Sequence, residues 1–182
     1  PSNKAFTYYT TANGLCNKRI VHVYYGKDHK VWACSDGGGI QKIDIGTGKI
    51  ENTPNLEGKK LSSNSVFAVY EDAQQRQWIG TWRGGINLVD PNKGKFQLIK
   101  KTAAGHQIQS EDFVLSLEEG DDNSLWIGTD GAGLLHWDSR QKRYMDFPIS
   151  DRAALQQAFV TGLKQDVDKQ LWVGTYDRGI FK

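Results

Sequence analysis

The chain has 182 residues, 38% of them hydrophobic, with 23 basic side chains against 21 acidic ones. A net charge of +2 without a clustered basic stripe gives no case for nucleic-acid binding, and no apolar run approaches the roughly 20 residues of a membrane helix. Two cysteines, Cys16 and Cys34, define no disulfide framework; a free, part-buried thiol is expected, with a Cys16–Cys34 bridge as the sharper alternative.

In chain order, Ala5-Phe6-Thr7-Tyr8-Tyr9 is an aromatic and β-branched run that predicts a strand over 4–9. A polar connection follows, with a turn signal at Ala12-Asn13-Gly14. Short apolar runs over 20–24, 30–34 and 40–45 and a fourth from Lys49 are then separated by Gly26-Lys27-Asp28, Gly37-Gly38-Gly39 and Gly46-Thr47-Gly48. Turns this short imply antiparallel neighbours. The pattern returns over 66–70, 77–81, 85–89 and 95–99, then over 113–147, and a last time over 159–164, 171–175 and 179–181. The only candidate for a helical turn is Ala153 to Gln157.

What unites these runs is Trp126-Ile127-Gly128-Thr129, which recurs as Trp78-Ile79-Gly80-Thr81, as Trp172-Val173-Gly174-Thr175 and, worn, as Trp32-Ala33-Cys34-Ser35, at intervals of 46, 48 and 46 residues. Other columns keep step with it. Twelve residues before the Trp stand Ile20, Val66, Val114 and Val160; nine before it, Val23, Val69, Leu117 and Leu163; seven after it, Gly39, Gly85, Gly133 and Gly179. Repeated four-stranded units of about 40–50 residues are the signature of an all-β β-propeller. The chain holds four blades' worth in one segment, at about 20–54, 66–100, 113–148 and 159–182. The 4–9 strand is placed as an outermost strand able to complete the last blade. Whether four blades close or form an arc is left open, and an arc would bare apolar faces and predict self-association, a dimer or larger.

The stretch from Asn64 to Asp90, with Trp78-Ile79-Gly80-Thr81 and Gly84-Gly85-Ile86 at its centre, resembles the two-component regulator propeller repeat, and Leu125 to Leu134 resembles it still more closely. That resemblance implies a periplasmic sensor portion of a hybrid histidine kinase from polysaccharide-degrading bacteria, one that binds oligosaccharide or supports signalling as a scaffold. It implies a membrane connection only through parts of a longer protein, and it transfers no kinase activity and no catalytic residue to this segment. Ala33-Cys34-Ser35 and Tyr176-Asp177-Arg178 depart from the pattern. Related propellers also occur in carbohydrate-active hydrolases and lyases, which keeps an enzyme as one alternative and a purely structural propeller as another.

Function in such folds lives in loops. The loops between second and third strands carry Asp36, Trp82, Arg83, Asp130, Tyr176, Asp177 and Arg178, and the blade-to-blade connections carry Asn13, Lys18, Arg19, Asn64, His106, Glu111 and Asp112. From these, Trp82, Arg83, Asp130, Tyr176, Asp177, Arg178, Asp36, Asn64 and Arg19 form the candidate ligand site. An aromatic beside Arg or Asp suits sugar, the ring stacking on its apolar face and the charges bonding hydroxyls or acidic substituents. Asp130 and Asp177 are the one carboxylate pair that a glycosidase mechanism could use. The acidic cluster Glu118, Glu119, Asp121 and Asp122 lacks calcium-loop spacing and reads as a solvated turn. His22, His29, His106 and His136 form no metal or triad pattern. No metal and no cofactor is expected.

Overall fold

The computed structural model describes residues 6–53, 60–90, 92–99, 113–148 and 152–182. Blade 1 is built from β1 (Ile20–Tyr25), β2 (Lys30–Ser35), β3 (Gly39–Asp44) and β4 (Ile50–Thr53), and blade 2 from β5 (Val66–Glu71), β6 (Gln77–Thr81), β7 (Gly85–Asp90) and β8 (Lys95–Ile99). Blade 3 comprises β9 (Phe113–Glu119), β10 (Ser124–Asp130), β11 (Leu134–Asp138) and β12 (Arg143–Tyr144), and blade 4 comprises β13 (Val160–Gln165), β14 (Leu171–Thr175) and β15 (Ile180–Phe181). Each blade is an antiparallel meander in sequence order, and successive first strands pack on one another, β1 on β5, β5 on β9 and β9 on β13. The protein is an all-β, four-blade propeller. Helix is confined to a four-residue α1 (Arg152–Leu155) and two single 3-10 turns among the described residues.

The repeated tetrad has a physical reason at each position. Its hydroxyl closes the hairpin between second and third strands: Ser35, Thr81, Thr129 and Thr175 donate to the carbonyls of Gly39, Gly85, Gly133 and Gly179 at 3.1, 2.9, 2.7 and 2.8 Å. Those glycines sit at φ between 67° and 76°, the left-handed region that a side chain disfavours. The worn copy, Trp32-Ala33-Cys34-Ser35, keeps its hydroxyl and therefore its hairpin.

The Trp is the wedge between blades. Each blade has a trailing face, carrying the Trp and the Ile or Leu eight residues later, and a leading face, carrying the β-branched columns. Trp32 and Ile40 of blade 1 pack on Val66, Val69 and Ile79 of blade 2; Trp78 and Ile86 pack on Val114 and Ile127 of blade 3; Leu134, with Trp126, packs on Val160 and Val173 of blade 4. Burying one such ring removes about 150–250 Å² from water, a gross gain of about 4–6 kcal/mol at roughly 25 cal/mol per Å². That outweighs any single hairpin hydrogen bond, which nets about 1 kcal/mol. The indole N–H is tethered by an aspartate of the preceding turn: Trp78 to Asp72 Oδ2 at 2.9 Å, Trp172 to Asp166 Oδ2 at 2.7 Å and Trp32 to Asp28 Oδ1 at 3.2 Å. In blade 3 the ring instead stacks on His136, centroids 3.7 Å apart and planes 4° apart.

The end faces break the pattern. The trailing-face Ile or Leu is 2%, 0% and 8% exposed at Ile40, Ile86 and Leu134, but 67% exposed at Ile180. Trp32 and Trp78 are buried while Trp172 is 36% exposed, and on the leading face Val69 is 3% exposed against 62% at Val23. The series is thus an arc, open at the trailing face of blade 4 and at Val23 of blade 1, where Tyr9 and Leu15 cover only Ala33 and Ile43.

Of the strand expected over 4–9, residues 4 and 5 lie outside the described residues and Phe6–Tyr9 form no strand, with Phe6 and Tyr8 exposed. The Thr10 amide and hydroxyl turn back on Asn13, and Asn13 Nδ2 donates to the Tyr8 carbonyl at 2.7 Å, a local loop that replaces strand pairing. Tyr9 and Leu15 pack on the outer part of blade 1, and among the described residues blade 4 has three strands. Cys16 and Cys34 are both free; burial pushes the Cys34 thiol up to about 12.

Candidate functional site

The loops between second and third strands and those leading into each blade meet along one rim. The residue four after each repeated Trp (Asp36, Trp82, Asp130, Tyr176) lies across the seam from the residue thirteen before the next Trp. At the first seam Ser65 Oγ donates to Asp36 Oδ1 at 2.8 Å. At the second, the Trp82 ring lies 3.9 Å from Phe113, centroid to centroid, and stacks on Phe67 at 5.1 Å and 28°. At the third, Asp130 forms an isolated antiparallel bridge with Phe159. Blade 4 has no such neighbour, and Tyr176 is 83% exposed.

Charges surround these aromatics. Arg83, held at φ 60°, carries its guanidinium 5.6 Å from the Phe113 ring, within cation–π range. Arg19 pairs with Asp36 at 3.1 Å, and Asn17 donates to the Asp36 carbonyl. Exposed Asn64 uses its carbonyl to receive the Gly39 N–H at 2.7 Å. Arg178 is recruited locally: Nη1 donates to the Ala154 and Gln156 carbonyls at 2.7 and 3.2 Å, and Nε lies 3.9 Å from Asp177 Oδ1.

The predicted residues therefore sit at successive seams rather than in one pocket. Arg19, Asp36 and Asn64 flank the first seam, Trp82 and Arg83 the second, Asp130 the third, and Tyr176, Asp177 and Arg178 the open end. His106, Glu111 and Asp112 lie outside the described residues. Phe67, Phe113 and Phe159 belong to the rim and were not singled out from sequence; for Phe113 and Phe159 the signal was an aromatic thirteen residues before the repeated Trp of blades 3 and 4. A cavity of about 530 Å³, lined by Trp126, Phe147, Leu171 and Phe181, opens between blades 3 and 4 but includes none of the predicted residues. Among the described residues no cluster of three His, Cys, Asp or Glu side chains is placed to hold a metal. Glu118, from the acidic cluster, accepts from Lys164 Nζ and the Gln165 amide. The rim offers stacking faces, hydrogen-bond acceptors and a guanidinium.

Residues 60–83, spanning β5, β6 and the Trp82-Arg83 loop, match the two component regulator propeller family. The match covers a single stretch of the chain. The chain is similar to the extracellular domain of a putative hybrid two component system from B. thetaiotaomicron (TM-score 0.67, 21% identity, 96% of this chain and 22% of that one). It is also similar to the extracellular domain of a putative one component system from the same organism (TM-score 0.73, 24% identity, 98% and 23%). A further likeness is to virginiamycin B lyase from Staphylococcus aureus (TM-score 0.59, 19% identity, 87% and 50%). At these identities the shared property is the fold, and the segment spans under a quarter of the two sensor chains. No curated protein matches the sequence.

Proposed function

We propose that this regulator propeller segment is part of a periplasmic sensor of a two-component system, and that its rim binds oligosaccharide. The observation that carries the reading is the Phe67–Trp82–Phe113 stack with Arg83 beside it, a row of aromatic edges and one cation on the loop face. Sugars present alternating apolar faces and hydroxyls, and such a surface answers both. Arg83 adds a preference for acidic sugars. The likeness to extracellular sensor domains supports the location. Binding rather than catalysis is read because the feature that distinguishes the rim is this aromatic row with its cation.

The test is calorimetric titration with a panel of neutral and uronic-acid oligosaccharides. Trp82→Ala is expected to weaken binding about tenfold through the lost stack. Tyr176→Ala, at an exposed position, checks the rim without disturbing the core, and Arg83→Ala should weaken acidic sugars selectively. Saccharide binding unchanged by all three would refute the rim as the site. Cleavage of the sugar would replace the reading with a hydrolase or lyase, and no binding across the panel would leave a scaffold.

A further inference from the structure

A groove of about 190 Å³ opens between the outer strands of blades 2 and 3, in the interior of the blade series. Arg76, Lys93 and Lys95 of blade 2 and Lys142 of blade 3 line it, against the single carboxylate of Asp90. Arg76 is held by Asp72 at 2.6 Å, and Lys93 lies 3.5 Å from Asp90. Lys95 and Lys142, on the two sides of the seam, have no ion-pair partner among the described residues.

Two positions in this groove depart from the repeat. Eleven residues after the repeated Trp, blades 1 and 2 carry Ile43 and Val89, whereas blade 3 carries Trp137. Trp137 packs edge-on against Tyr144, centroids 4.9 Å apart, and is 4% exposed. Its indole N–H nevertheless has no hydrogen-bond partner among the described residues, while Trp32, Trp78 and Trp172 give theirs to aspartates. A buried donor left unpaired is costly, and such a group calls for a partner. Sixteen residues after the repeated Trp, blades 1 and 2 turn on Gly48 and Gly94, at φ 72° and 55°. Blade 3 turns there on Lys142 at φ 53°, a conformation that its Cβ disfavours. An aliphatic side chain and a glycine would serve the packing and the turn; blade 3 instead brings a donor and a cation to one groove.

We propose that this groove binds a tetrahedral oxyanion, sulfate or phosphate, with Lys95 and Lys142 closing on it from the two blades and the Trp137 N–H donating to it. The anion supplies what each group lacks, a counter-charge for the two ammoniums and an acceptor for the indole. Lysines present compact point charges with rotatable donors rather than a planar fork, which suits a tetrahedral anion better than a flat carboxylate. The same chemistry is met by the free ion or by its monoester on a larger molecule. The groove opens beside the turns between first and second and between third and fourth strands, at the ends opposite the rim. The proposal is therefore independent of the saccharide reading.

The intact chain is titrated with inorganic sulfate, inorganic phosphate and a methyl monoester of each, at an ionic strength held constant with sodium chloride. The Trp137 indole resonance, assigned by its loss in Trp137→Phe, should move saturably in a proton–nitrogen correlation spectrum. Lys95→Ala and Lys142→Gly should each weaken binding about fivefold, the scale of one exposed ion pair. Lys142→Gly also separates binding from folding: without anion it should melt no lower than the parent chain, because glycine takes this φ freely. Monoesters that bind as tightly as the free ions would place the group on a larger molecule, and binding of the free ions alone would make the ion itself the ligand. A resonance that stays still, or one that moves equally in Lys142→Gly, would overturn the proposal and leave the groove to water.

Discussion

At the scale of single residues, two histidines tie stability to pH. The His136 imidazole stacks on Trp126, is bonded through Nε2 to Ser124 Oγ at 2.8 Å, and faces Phe147. Burial holds its pKa below the ordinary 6.5, with Asp138 partly opposing. His22 is lowered likewise by burial, against a hydrogen bond with the Val69 backbone. A depressed histidine binds its proton more readily in the unfolded chain, so unfolding takes up protons and stability rises with pH through this window. We predict that the unfolding free energy measured in urea is flat above pH 7 and falls as pH drops below 6.5. His136→Gln should reduce that slope, and an unchanged slope would remove His136 as a source.

At the scale of elements, the closest approach between blades is made where a strand carries no side chain. A Cβ at Gly128 would strike Ser116 Oγ and lie 2.6 Å from the Val160 carbonyl, whereas one at Gly174 would meet only ordinary contacts. Gly128→Ala should therefore destabilise by about 1–3 kcal/mol through overpacking. Gly174→Ala should be neutral to slightly stabilising, since glycine is a poor strand residue. Equal effects in thermal melts would contradict the seam geometry. The same elements show what sequence discloses. Trp32, Trp78, Trp126 and the Val66 column were legible because each copy performs one packing task and so keeps one residue type. Phe6-Thr7-Tyr8-Tyr9 misled because alternation records capacity to pair, not the presence of an edge within reach. Trp82 was legible as an aromatic loop residue, but its stack on Phe67 and Phe113 was not, because Phe113 lies across a seam and no spacing rule within one repeat relates the two.

At the scale of the whole molecule, the interactions run in one dimension, each blade packing on its immediate neighbours. Stability is then close to a sum of blade terms and seam terms, and the interior blades hold two seams each. Native-state hydrogen exchange should be slowest in β5, β6, β9 and β10 and faster in β1 and β14, whose flanking faces are open. Uniform protection from end to end would mean that the four blades open as a single unit.

The rim gives this linear arrangement a mechanical meaning. Trp82 and Phe113 belong to different blades, as do Asp36 and Ser65, so any molecule gripping such a pair is a suture across a joint. Its affinity depends on the angle at which two blades meet, and by reciprocity its binding sets that angle. A string of sutured joints converts occupancy on one face into the curvature of the whole arc.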